Sequence, residues 1–467
     1  MRNILPFLKQ HSKKITVAFL VFFFLSALMV LFREDHDGRI FISLIILISA
    51  YYSYHNLKKD STNQYSKGLL IGLAVLLFMT IIKFTIGAIN SNEQFDFMCF
   101  YMQGQLGVHN MKFYDPHSFQ MLLSKVNYPL IFEQHTTVEH FVFKEGIKNE
   151  ILNVGLLSPP STMLIFYPLA LFDYQSSRTV FSVLVALFII LNAILANIVF
   201  LKKERSIFSF LLTFIIIAVI PGTYNTIYLV QTNFFLLFFL MLSFYKTDKP
   251  ISGFYLAISA IFKPISAILL LYFIINKKWK PATWFIISSL IFLLITCIIW
   301  GFDNLTSYIL SPPTQRLPYS IYVQEVNQSL IGLLNRNLEI YGLSNFVINF
   351  IYFSLSGIMA GLTIIASKNL QKVNSQFSFL AFIPLMLLIY PSSLMHYMVY
   401  LIPVFLYLIF LNTGEKYLWI LLVPAFIFLS SETFFSYLII WIMFLYAGLY
   451  MTRNDKFHDI ISDLTFK

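Results

Sequence analysis

Charge is scarce in this sequence. Asp, Glu, Lys and Arg make up only 12% of its 467 residues, whereas 58% are hydrophobic. A soluble domain carries about a quarter charged residues, and a chain this apolar could not cover a water-facing surface. Cysteine is almost missing too: Cys99 and Cys297 are the only two. That excludes a disulfide framework, and two free thiols are the expected state. No Gly/Ser linker or low-complexity tract divides the chain, and no repeat of about 20–50 residues does so either. A nucleotide-binding glycine loop is also missing, so a cytosolic ATP or sugar-nucleotide site has no support. Nor does any Ser-His-Asp arrangement emerge.

What is present is one apolar run after another, rich in Phe, Leu and Ile. A span needs about 20 apolar residues, fewer where neighbouring helices shield its ends. The candidates are 15–32, 39–56, 68–90, 177–200, 206–220, 233–245, 251–262, 265–276, 282–300, 343–366, 377–391, 396–411, 417–430 and 433–450. The expected fold is an all-α polytopic membrane protein with roughly 11–14 membrane segments, in one transmembrane domain over 1–467. The basic start (Arg2, Lys9, Lys13, Lys14) before 15–32 resembles a signal peptide. The run is long and lacks a clear small-residue cleavage site, so a retained first helix is expected.

The net charge of +10 comes from short clusters between apolar runs, which speaks for membrane topology and against a nucleic-acid partner. The stretch 158–172 is apolar, yet if it crossed, Lys202, Lys203 and Arg205 would lie outside. With it half-buried on the outer face, about two thirds of Lys and Arg fall on the cytoplasmic side, as the positive-inside rule expects. Both termini are then cytoplasmic, and the long loops 91–157 and 301–342 are extracytoplasmic.

Several polar residues map to that outer face. Asp96, in Phe95-Asp96-Phe-Met-Cys-Phe-Tyr101, sits just beyond a span. Partial desolvation there can raise its pKa toward that of a useful base, or it can cap a short helix starting at Phe97. Gln231 and Asn233 form a Gln-x-Asn turn, and Lys263-Pro264 interrupts an apolar stretch. Proline breaks a helix, which points Lys263 at the boundary, as a functional cation or a snorkelling one. Asn327, Gln328 and Arg336 lie in the second loop, and His396 lies in the turn after Pro391-Ser-Ser. An arginine fork suits phosphate, and a histidine can donate to phosphate or titrate near neutrality. Lys83 reads as a snorkelling residue. Glu133-x-His135 and Glu139-His140 match no strong metal template.

These signals follow one another in an order. The acid–aromatic opening at Asp96 and Tyr101 comes first, then Ser158-Pro-Pro-Ser-Thr, then Gln231-x-Asn233. After them come Gly253 through Lys263-Pro264, Asn327-Gln-Ser-Leu-Ile-Gly with Arg336, and Pro391-Ser-Ser with His396. The series resembles glycosyltransferase family 87, within the GT-C superfamily, typified by polyprenol-phosphate-mannose-dependent α-mannosyltransferases. The resemblance runs roughly from residue 70 to 410. Val230 stands where the family pattern has Gly, and Leu394 and Met395 where it has a Trp.

The resemblance implies a GT-C-type helical bundle in the plasma (inner) membrane with an extracytoplasmic active site. It implies inverting transfer of a hexose, mannose favoured, from a polyprenyl-phosphate donor to a glycan or glycolipid acceptor. Asp96 would be the catalytic base, and Lys263, Arg336 and His396 would bind the donor phosphate. Gln231, Asn233, Tyr101, Asn327 and Gln328 would contact the sugar or acceptor. No metal and no cofactor are expected. Membrane lipid is the other expected partner. The alternatives are a transporter or flippase of lipid-linked sugars, or a lipid-linked polysaccharide ligase or polymerase, which Arg316 and Arg336 keep open.

Overall fold

The computed structural model describes residues 36–90, 95–115, 117–118, 121–122, 158–201, 205–310, 327–411, 425 and 433–449. The expected span 15–32, nearly all of 417–430, and the pairs Glu133-x-His135 and Glu139-His140 lie outside them. The protein is an all-α polytopic membrane protein. Among the described residues the only β pairing is one isolated bridge, Asn327 with Leu394.

The chain opens with α1 (His36–Lys59) and α2 (Gln64–Asn90). Between them the Asn63 side chain accepts from the Ser66 amide at 3.1 Å, satisfying one of the free donors at the start of α2. Helix α3 (Phe95–Val108) follows, then a 3₁₀ turn (Pro160–Thr162) and α4 (Met163–Ala170). The apolar stretch 158–172 thus contains a helix of eight residues, about 12 Å long and too short to cross a bilayer. It packs on α3, where Phe100 stacks on Phe166 at 4.7 Å. Asp173 then caps α5 (Tyr174–Phe200), accepting from the Ser176 amide at 2.9 Å.

A Ser206–Ser209 capping box starts α6 (Ile207–Val219). Pro221 opens α7 (Pro221–Tyr228), and the chain turns by 69° between the two, since proline cannot continue the helix before it. This short helix has no counterpart in the apolar-run reading. Next come α8 (Asn233–Tyr245) and α9 (Ile251–Phe262). Helix α9 stops at Lys263-Pro264, and a 3₁₀ turn (Pro264–Leu269) leads into α10 (Leu270–Ile275). The chain continues as α11 (Trp279–Trp300), α12 (Phe302–Leu310), α13 (Leu330–Leu338) and α14 (Asn345–Val373). It ends with α15 (Ser375–Leu380), α16 (Phe382–Ile389), a 3₁₀ turn (Met395–Leu401), α17 (Ile402–Leu411) and α18 (Thr433–Leu449).

Among the described residues, four helices (α2, α5, α11 and α14) are long and apolar enough to cross a membrane, and the bent pair α6–α7 makes a fifth. Six shorter apolar helices account for further runs. Proline and 3₁₀ breaks cut these runs, and close neighbours relieve them of the need for full span length. The centre is filled from α6, α8, α16 and α17, where Ile215, Leu237, Leu388 and Leu406 are fully buried. Helices α11 and α14 present Ile291, Leu294, Ile298, Phe350 and Phe353 outward, as lipid-facing surfaces do. Helix α9 lies against α11 through Gly253, where a Cβ would come 1.9 Å from the Pro281 carbonyl oxygen. Small residues permit this backbone approach in membrane bundles.

Candidate active site

Three chain breaks converge at one end of the bundle. The first is the start of α3. Asp96 stands in its first turn, where the helix dipole favours a carboxylate. The helix begins at Phe95, so Asp96 is not a cap to a helix starting at Phe97. The second is the α7–α8 junction. Val230 there has φ +51°, the left-handed region that suits Gly and strains a β-branched residue. The departure from the family's Gly therefore falls at a position whose backbone calls for one. The third is the α9 stop. Lys263 is extended there (φ −136°, ψ 108°), held by the proline behind it.

Side chains from these breaks form one continuous chain of hydrogen bonds. Gln231 donates through Nε2 to Asp96 Oδ2 at 2.5 Å. Lys263 Nζ donates to Gln231 Oε1 at 2.7 Å and to Asn233 Oδ1 at 2.8 Å. Asn233 Nδ2 donates to Thr226 Oγ1 and to the His396 carbonyl, each at 3.2 Å. An amide thus stands between acid and ammonium, so the two charges are coupled without forming a direct ion pair. Gln231, Asn233 and Lys263 are buried, and Asp96 is half-buried at the edge. Burial pushes the Asp96 carboxyl above its ordinary range, and the Gln231 hydrogen bond and the Lys263 charge pull it partway back.

Two residues join this site that the sequence reading did not single out. The Tyr397 ring lies 4.5 Å under Lys263 Nζ, a cation–π contact. Ser161, from the Ser158-Pro-Pro-Ser-Thr stretch, donates its hydroxyl to the Ile261 carbonyl just before Lys263. Adjacency to His396 and membership of the Pro-rich stretch were the only signals in sequence. His396 itself is buried, meets Tyr397 edge-on at 4.7 Å, and leaves Nε2 without a hydrogen-bond partner among the described residues.

The other expected site residues are engaged with the protein. Arg336 Nη1 donates to the Asn327 carbonyl at 2.7 Å. Asn327 Nδ2 donates to the Pro391 carbonyl at 3.1 Å, and its Oδ1 accepts from the Ser329 amide at 3.2 Å. Gln328 Oε1 accepts from the Phe434 amide at 2.8 Å. The Tyr101 hydroxyl donates to the Phe172 carbonyl at 2.8 Å and accepts from Gln105 at 2.9 Å. The Asn327–Arg336 segment therefore braces the turn that carries His396, and Gly332 makes room for it, since a Cβ there would lie 2.8 Å from the Asn327 oxygen. Cys99 and Cys297 are both free thiols. Among the described residues no group of three or more His, Cys, Asp or Glu is placed to hold a metal ion.

Fold and site together define a polytopic helical membrane protein with a buried acid–amide–ammonium chain. The family model of glycosyltransferase family 87 matches residues 157–391, half of the 467-residue chain, and the chain belongs to this family. It is a membrane glycosyltransferase. Comparison with curated proteins and with solved structures finds no match. The matched region contains Gln231, Asn233, Lys263, Asn327, Gln328 and Arg336, whereas Asp96, Tyr101 and His396 lie outside it.

Proposed function

We propose that this glycosyltransferase moves a hexose, mannose favoured, from a polyprenyl-phosphate donor to a glycan or glycolipid acceptor on the extracytoplasmic face of the plasma membrane. The observation that carries this reading is the Asp96–Gln231–Lys263 chain. It sets a base of raised pKa and a fixed cation on either side of one amide. Asp96 accepts the proton of an acceptor hydroxyl as that oxygen bonds to the anomeric carbon. The bond from the anomeric carbon to the phosphate oxygen breaks with its electron pair, and polyprenyl phosphate leaves from the opposite face. The configuration inverts. Charge builds on the departing phosphate, and the two groups that answer it are the Lys263 ammonium and His396 Nε2, which has no hydrogen-bond partner among the described residues. Arg336 supports this reading through Asn327 and the His396 turn.

A donor screen tests the proposal. Purified protein in nanodiscs is given radiolabelled polyprenyl-phosphate mannose, glucose or arabinose with membrane glycolipid acceptors. Transfer from the mannosyl lipid is expected. Movement of the lipid across a vesicle bilayer without consumption would support the flippase alternative and sink the transfer reading.

A further inference from the structure

Asp96 stands in the first turn of α3, so its position depends on what fixes the break between α2 and α3. Helix α2 ends at Asn90 with no basic residue of its own in the last turn, and its last carbonyls need partners from outside the helix. Arg178 of α5 supplies one. Its side chain is only 3% exposed. Arg178 Nη2 donates to the Ile89 carbonyl and to Gln175 Oε1. Gln175 Nε2 donates to the same Ile89 carbonyl at 3.1 Å. A buried guanidinium is costly unless its surroundings answer the charge. Here the negative end of the α2 dipole does so, through a charge-assisted hydrogen bond. Helix α5 itself gains nothing from this cation, which lies toward its N-terminal end.

The same guanidinium reaches the other side of the break. Its Cζ lies 5.4 Å from the centroid of the Tyr174 ring, within cation–π range. The Tyr174 centroid is 5.6 Å from that of Phe97, and Tyr174 meets Tyr101 edge-on at 5.3 Å. Phe97, the residue after Asp96, is fully buried and also stacks on Phe181 of α5 at 5.8 Å. One face of α5 therefore holds both the end of α2 and the first turn of α3, with Arg178 in contact with each side.

We propose that Arg178 is a positioning residue for Asp96: it fastens the end of α2 and the start of α3 to α5, so that the Asp96 carboxylate meets Gln231. A displacement of about 1 Å is enough to spoil a reacting geometry, and the Asp96–Gln231 hydrogen bond spans 135 residues of sequence with nothing local to set it. Arg178 touches neither Asp96 nor Gln231 and acts only through the helices it joins. The inference rests on the reading of Asp96 as the base, from which the following experiment separates it.

Arg178→Met keeps an unbranched stem and removes the guanidinium. Transfer from polyprenyl-phosphate mannose is followed against pH and donor concentration in wild type, Arg178→Met, Gln231→Leu and the double variant. With Asp96 displaced from Gln231, kcat should fall about 10- to 100-fold while the donor KM stays as in wild type. The acid limb should move to higher pH, because the Gln231 hydrogen bond that lowers the Asp96 pKa is lost. In the double variant the limb should sit where Gln231→Leu alone puts it. Arg178→Lys keeps the charge and carries the same test, with a smaller loss, should Arg178→Met fail to fold. A lower melting temperature with kcat and acid limb unmoved would show a structural role alone and overturn the inference, as would limb shifts that add in the double variant. An inactive Asp96→Asn beside an unmoved Arg178→Met profile sinks the inference only. Near-normal transfer by Asp96→Asn sinks the base reading and the inference with it.

Discussion

Asp96 Oδ2 and Gln231 Nε2 meet from positions 135 residues apart, and the oxygen of the same Gln231 amide accepts from Lys263. Removing the charge of Asp96 while keeping its shape isolates the base. Asp96→Asn should leave melting near wild type and reduce transfer by at least about 100-fold. An acid with only a local structural role would leave transfer largely intact, because Asn serves a helix start nearly as well. The pH dependence has a definite sign. Burial raises the Asp96 pKa, so its basic form is depleted at a pH above the ordinary carboxylate range, and transfer should fall as pH drops through that raised value. The Gln231 hydrogen bond lowers this pKa, so Gln231→Leu should move the acid limb to higher pH. An acid limb that stays in place in pH–rate profiles of this variant would show that Gln231 does not tune the base. Asp96, Gln231, Asn233, Lys263 and His396 were all legible in sequence as polar residues in unusual places. That Gln231 bridges acid and cation was not, because side-chain partnering is set by packing and leaves no mark on spacing.

At the scale of elements, the position of Lys263 depends on how α9 sits against α11. Gly253 is the close contact: an added Cβ would fall 1.9 Å from the Pro281 carbonyl oxygen and 2.7 Å from the Phe285 amide. Backbone cannot yield as a side-chain tip can. Gly253→Ala should therefore cost about 1–3 kcal/mol, read as a lower melting temperature in detergent, and should reduce transfer through displaced Lys263. Unchanged melting would show that the two helices separate freely. Asp173→Ala gives a useful contrast. It removes the cap of α5, worth about 1 kcal/mol, on a residue with no described bond to the Asp96–Lys263 chain, so melting should fall while the residual folded protein keeps its transfer rate. Hydropathy marked α8 and α9 at their observed limits, because apolar runs and the Lys-Pro break are local features. It did not mark α7, whose eight residues include Gly222, Thr223, Asn225 and Thr226. A short polar helix buried by its neighbours lacks the apolar run that a span search looks for.

For the whole molecule, sidedness has a direct measurement. The positive-inside rule, applied to the charge clusters, predicts the loop bearing Asp96 outside and the turn between α1 and α2 inside. His117 and Ser61 are exposed at these two places, whereas Ser118 is buried with its hydroxyl on Asp115 and is a poor reporter. In a background without Cys99 and Cys297, His117→Cys should react with an impermeant thiol reagent in intact cells, and Ser61→Cys should not. The reverse labelling would invert the topology and remove the extracytoplasmic donor from the proposal. Composition by itself determined that this is a helical membrane protein, since an excess of apolar residues leaves no other solvent for the surface. Local order in the sequence determined most helix limits and the polar residues to watch. Only the tertiary structure decided that the Gln231 and Asn233 amides are spent on Lys263, that Arg336 braces a turn, and that the Tyr397 ring lies under the cation. Each of these depends on which side chains meet across the bundle. A hydrophobic period reports which face of a helix is buried, but not what polar group waits on the other side of the contact.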